Sequence, residues 1–73
     1  MQTYKDRDNN SNIIGYEYGE DWIRIYFKDH SEYDYSGSSC GQFQINQMKY
    51  LADQGDGLNA YINNEKPPYS HKR

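Results

Sequence analysis

Ser31-Glu32-Tyr33-Asp34-Tyr35-Ser36 is the stretch whose reading decides how this chain folds. Successive side chains on a strand point to opposite faces, so Tyr33 and Tyr35 share one face and Glu32 and Asp34 the other. Carboxylates do not belong in a core, so the tyrosines are expected to point inward. The preceding segment, Trp22 to Phe27, alternates as well, with Ile23, Ile25 and Phe27 on one side and Trp22, Arg24 and Tyr26 on the other. Residues directly opposite in an antiparallel pair share a face, so the connection between the two strands decides which sets meet. A two-residue Asp29-His30 turn sets Phe27 against Glu32 and Ile25 against Asp34, burying two charges. An odd-length loop within Lys28 to Ser31 sets Ile23, Ile25 and Phe27 beside Tyr33 and Tyr35 instead, and this is the expected register. The last residue of such a loop is often left-handed, a conformation His30 tolerates better than most non-glycine residues.

Upstream, Ile14, Tyr16 and Tyr18 alternate with Ile13, Gly15 and Glu17, the period of a strand with one buried face, and Gly19-Glu20-Asp21 supplies a turn. Residues 1–10 are polar and without period, which predicts a flexible N-terminal arm. Downstream, Ser36-Gly37-Ser38 reads as a loop, and Ser39 with Gln42 has the form of a capping box that starts a helix. Ile45, Met48, Leu51 and Ala52 recur at helical spacing with Phe43 nearby, and Gly55 can close this helix in a left-handed cap. Asp56 can cap a shorter helix from Gly57 to about Asn64 with Leu58, Tyr61 and Ile62 as its apolar face, before Pro67-Pro68 stops it. The expected fold is α+β: a three-stranded antiparallel meander with one face covered by two C-terminal helices. The expected domain covers 11–69, followed by a basic tail at 70–73. Its core is Ile14, Tyr16, Ile23, Ile25, Phe27, Tyr33, Tyr35, Met48, Leu51, Leu58 and Ile62.

Composition narrows the function classes. Seventy-three residues allow one domain, and such a chain buries only about 60% of the surface its unfolded form exposes, so no deep pocket is expected. Only 34% of residues are hydrophobic while nine are tyrosine, so the core must use rings whose hydroxyls need partners. A formal net charge of −3 gives no general attraction to phosphate or anionic lipid. The single Cys40 excludes an intramolecular disulfide, and the sequence has no spaced Cys/His set for zinc, so neither metal nor cofactor is expected. No apolar run approaches the roughly 18 residues of a membrane span. Residues 1–10 lack the apolar stretch of a signal peptide, so the expected address is the cytoplasm.

Candidate sites each have a structural alternative. Trp22, Arg24 and Tyr26 lie on the face opposite the core, where an arginine between two rings suits stacking and phosphate contact. Arg24 can equally pair across the sheet with Glu32 or Asp34. Tyr33 and Tyr35 could stack unpaired bases, but the register places them in the core. Lys66, His71, Lys72 and Arg73 form a basic end that is either a phosphate-contacting tail or a solvated terminus. Cys40 falls at a predicted helix start, but His30 and His71 lie in a turn and a tail with nothing to bring either near as a base, which favours an inert thiol. Asp53-Gln54-Gly55-Asp56-Gly57 has the look of a calcium loop yet carries Asn64 where the twelfth-position glutamate belongs. Carboxylate pairs such as Glu20-Asp21 or Glu32/Asp34 need a water-excluding cleft to act as acid and base, so an enzyme is not expected.

Taken together, Ile14-Gly15-Tyr16, Ile23/Ile25/Phe27, Tyr33-Asp34-Tyr35, Met48-Lys49-Tyr50-Leu51-Ala52 and the segment from Gly55 to Asn63 resemble, in order and spacing, the KTSC domain. This short family is named for its presence at the C-terminus of some lysyl-tRNA synthetases and also occurs as a single-domain bacterial protein. The resemblance runs from about Ser11 to Tyr69, with the family's central Tyr-x-Tyr at Tyr33 and Tyr35. It departs at His30, where the family commonly has a turn glycine, and at Pro67-Pro68, which interrupts the tail. The family's function is itself unknown, and its synthetase context implies RNA binding. Two classes therefore stand: a non-catalytic module binding a protein through Trp22, Arg24 and Tyr26, and an RNA-binding accessory domain. The acidic balance favours the protein partner, and the oligomeric state stays open.

Overall fold

The computed structural model describes residues 1–7 and 11–73. Among them, β1 (Gln2–Thr3), β2 (Ile13–Tyr18), β3 (Trp22–Phe27), β4 (Glu32–Ser36) and β5 (His71–Lys72) form one antiparallel sheet in sequence order. Three helices, α1 (Gly37–Cys40), α2 (Gln42–Gln54) and α3 (Leu58–Glu65), lie between β4 and β5 in the chain. The α+β class with an antiparallel sheet and C-terminal helices is as expected, but the sheet has five strands, not three. Both additional strands come from segments read as arm and tail. A two-residue strand has no alternation to display, so periodicity misses it. Such short edge strands also leave little unpaired backbone for a foreign strand.

The β3–β4 register is the expected one: Ile23 faces Tyr35, Ile25 faces Tyr33 and Arg24 faces Asp34. Phe27 N–H donates to Ser31 O at 2.9 Å and His30 N–H to Phe27 O at 3.0 Å, closing the odd loop Lys28-Asp29-His30. His30 is left-handed with φ 71°. The Asp29 carboxylate holds the turn by accepting from Ser31 N–H at 3.0 Å and Ser31 Oγ at 2.6 Å.

In β2 the expected face assignment is corrected at its start. A bulge between Ile13 and Gly15 inserts one extra residue, so Ile13 pairs with Phe27 and is 1% exposed while Ile14 is 40% exposed. The bulge reverses the alternation once, which keeps Tyr16 inward opposite Ile25. The core consists of Tyr4, Ile13, Tyr16, Ile23, Ile25, Tyr35, Ile45, Met48, Ala52 and Leu58. Phe27, Tyr33, Leu51 and Ile62, expected inside it, pack half-buried on its margin.

The helical segment begins three residues before the expected cap. Ser36, not Ser39, is the N-cap: Ser39 N–H donates to Ser36 Oγ at 3.2 Å and Ser36 N–H to Ser39 Oγ at 3.0 Å. Gly41 at φ 90° then separates α1 from α2, which packs on β3 and β4. Gly55 closes α2 in the left-handed conformation with φ 71°, as its composition predicts. A Cβ there would also lie 2.4 Å from Lys5 Cβ, so glycine serves both the cap and the crossing N-terminal chain. That chain is part of the fold rather than loose. Tyr4 is 5% exposed, and Arg7 N–H and Nε donate to Gly55 O at 2.8 Å and Gln54 O at 2.6 Å. Asp56 does not cap α3; the buried Leu58 N–H at its first turn donates instead to the Tyr4 hydroxyl at 3.2 Å. Residues 8–10 of the expected arm lie outside the described residues. Among the described residues, no helix is long and apolar enough to cross a membrane.

Candidate functional site

The pleat that buries Ile23, Ile25 and Tyr35 under the helices sends Glu17, Arg24 and Asp34 to the opposite, uncovered face. Strand pairing sets Glu17, Arg24, Asp34 and His71 in one row across four strands. Arg24 Nε donates to Asp34 Oδ1 at 2.7 Å, Nη2 to Asp34 Oδ2 at 3.4 Å and Nη1 to Glu17 Oε2 at 3.3 Å. The Tyr26 hydroxyl donates to the same Glu17 oxygen. From the tail, Arg73 Nη2 reaches Asp34 Oδ2 at 3.0 Å and Nε reaches Glu32 Oε1 at 3.3 Å. Trp22 is 37% exposed, its indole lies against Gly19, and the Arg24 guanidinium carbon sits 5.9 Å from its ring centroid.

These contacts set the electrostatics of the face. Burial pushes the Asp34 carboxyl up, but the hydrogen bond from Arg24 and the charges of Arg24 and Arg73 overcome it and hold it below the usual range. The Tyr26 hydroxyl, with lesser help from Arg24, holds Glu17 below its ordinary value. Donation to Glu17 raises Tyr26, and Asp34 raises Arg24. Arg24 is therefore committed to carboxylates, the alternative weighed above, with Asp34 as one partner and Glu17 as the other. Among the described residues this face joins one indole and one phenol to a set of neutralised charges.

The remaining candidates are dispersed. Lys66 is exposed at the left-handed end of α3 with φ 47°, Lys72 Nζ lies 5.2 Å over the Tyr33 ring, and Arg73 joins the ion-paired face. Alternation along the tail sends Lys72 and Arg73 to opposite sides of the sheet. Tyr35 is 2% exposed. Half-buried Tyr33 stacks on Tyr35 at 6.4 Å and meets Phe27 and Tyr69 edge-on at 5.2 and 5.1 Å, besides Lys72. Neither ring is an open stacking platform. Burial pushes the Cys40 thiol up, and its Sγ donates to Ser36 O at 3.4 Å, the reverse of an activated nucleophile. Asp53, first residue of the calcium-like segment, instead accepts the Tyr16 and Tyr18 hydroxyls at 2.8 and 2.7 Å.

Two features have no counterpart in the sequence reading. One is this Tyr16–Asp53–Tyr18 clamp between β2 and α2. The other is an open cleft of about 570 Å³ where the β3–β4 loop meets α3, walled by Phe27, Tyr33, Tyr35 and Ile62 and edged by Asn12, Asn59 and Asn63. A domain this small is not expected to hold a deep pocket, and this cleft is an open one, formed where the β3–β4 loop meets α3 and not by a hollow core. Glu17, not among the expected site residues, joins the row because pairing Tyr16 and Tyr18 with Ile25 and Ile23 sets it opposite Arg24. Compared with models of known families, with curated proteins and with solved structures, the chain matches none.

Proposed function

We propose that this domain is a non-catalytic binding module that takes a protein partner on the open sheet face centred on Trp22, Arg24 and Tyr26. The observation that carries the reading is the row in which Glu17 and Asp34 share the Arg24 guanidinium, with Arg73 added to Asp34. A phosphate arriving there must displace carboxylates already in place, whereas a nucleic-acid groove keeps its cations free to track the backbone. Tryptophan, tyrosine and arginine at the centre of an uncovered patch are the residue types that anchor protein interfaces. The row also offers fixed polar groups to a complementary rim.

Kinship with the KTSC domain belongs to the same proposal. Its support is that the matching segments fall on β2, β3, β4, α2 and α3, all within one packed unit. A cytoplasmic address is proposed with it, supported by the free thiol of Cys40. The test is recovery of partners from the native lysate by the full tagged chain, with nuclease and without, alongside the Trp22→Ala variant. Recovery that survives nuclease and is lost in Trp22→Ala is expected. Nuclease-sensitive recovery returns the RNA-binding accessory reading, and unchanged recovery by Trp22→Ala removes the face from consideration.

A further inference from the structure

We propose that the cleft between the β3–β4 loop and α3 is a small-molecule site for an uncharged planar heterocycle of the nucleobase type, taken as free base or nucleoside. Asn12, Asn59 and Asn63 line it, and among the described residues none of their side-chain amides has a protein partner. Asn59 and Asn63 are four apart on α3 and so share the face turned to the cleft. Each amide presents donors and an acceptor side by side, the arrangement that pairs bidentately with a ring alternating N–H and bare nitrogen. Tyr35 is a further lining residue. It is 2% exposed, and its hydroxyl has no partner among the described residues. Burial pushes that hydroxyl up to about 12, which keeps it a donor.

Phe27 and Ile62 supply apolar walls, and a volume of about 570 Å³ with a few converging polar groups is the anatomy of a small-ligand site. Charge at the mouth is mixed and not a dedicated cationic cradle, with Lys72 over the Tyr33 wall and close to Asp29. Lys28 and Asp29 stand there together, one of each sign, and the Ser31 hydroxyl and amide hold Asp29 below the usual carboxylate range, so it stays anionic. An extended peptide is disfavoured because it gains most by adding to a free strand edge, and the β4 edge is taken by β5.

The test is a titration of the full chain followed by NMR, reading the side-chain amide signals of Asn12, Asn59 and Asn63 and the Trp22 indole in the same spectra. Adenosine at millimolar concentration is expected to move the three amides and leave Trp22 in place, with adenosine monophosphate binding no more tightly. Asn63→Ala, at an exposed helix position, is expected to weaken adenosine about tenfold through loss of a bidentate contact. Asn12→Ala, on the opposite rim, is expected to weaken it as well. The proposal is overturned if adenosine, guanosine, cytidine and uridine all leave the amides unmoved, if both variants bind like the parent, or if the monophosphate binds much more tightly. It is independent of the protein-binding reading, whose failure shows at Trp22 and not here.

Discussion

Replacing Tyr4 tests whether the first residues of the chain hold the fold together. The Tyr4 hydroxyl accepts the buried Leu58 N–H at 3.2 Å, and no side chain of the α3 N-cap does this in its place. Tyr4→Phe keeps the ring and strands that amide without an acceptor, a loss of about 1–3 kcal/mol. Tyr4→Ala also removes a ring that is 5% exposed, and truncations of buried aromatics cost about 3–5 kcal/mol. A domain of 73 residues has about 4–11 kcal/mol to lose. Tyr4→Phe therefore remains folded with a clearly lower midpoint, while Tyr4→Ala approaches the limit of folding. Urea unfolding followed by Trp22 fluorescence and far-ultraviolet circular dichroism measures both. With a slope near 1 kcal/mol per molar for so small a chain, Tyr4→Phe moves the midpoint down by about 1 M or more at constant slope. A midpoint for Tyr4→Phe equal to the parent's, together with an unchanged midpoint on deleting residues 1–7, refutes the reasoning and makes the segment a passive arm.

Asp34 and Glu17 sit below their unfolded pKa values, so their pairing stabilises the domain above those values and is lost as pH falls through the folded ones. Asp34→Asn should flatten the fall in stability below about pH 4; an acid limb as steep as the parent's counts against the ion-paired row. His30→Gly relieves a left-handed non-glycine residue at φ 71° and should raise stability by up to about 1 kcal/mol, with a decrease in the urea midpoint as the contrary result. Gln44 Oε1 is buried without a partner among the described residues. Gln44→Met, of similar shape, should be neutral or stabilising by about 1 kcal/mol, and a clear loss means that oxygen is satisfied in solution.

Legibility in the sequence followed the cost of error. Between β3 and β4 a wrong register buries Glu32 and Asp34, so the alternation alone selected the right one and carried Arg24–Asp34 with it. In β2 no such penalty operates: Ile13 and Ile14 are both apolar, and the choice between them is made by the bulge and by Ile14 O accepting Tyr4 N–H at 3.1 Å. Ser39 and Gln42 have the sequence form of a capping box, but the box that forms joins Ser36 and Ser39, and Gly41 at φ 90° interrupts the helix before Gln42. The open face was half legible, since its strand period shows Trp22, Arg24 and Tyr26 together but not Glu17. The cleft was illegible because Asn12 comes from a segment distant from α3, with no spacing to join it to Asn59 and Asn63, which share a helix face.

The bond between Tyr4 and Leu58 also orders events in time. Its two ends lie 54 residues apart, and the segment that carries Tyr4 past β2 precedes in the chain the elements it packs on. A contact of such sequence separation pays its loop-closure entropy late, after the local β3–β4 hairpin and the α2–α3 pair have lowered the cost. The segment around Tyr4 thus precedes its partners in the chain and docks after them. On that order Tyr4→Phe speeds unfolding and leaves refolding nearly unchanged, a kinetic signature that an early-forming contact would reverse.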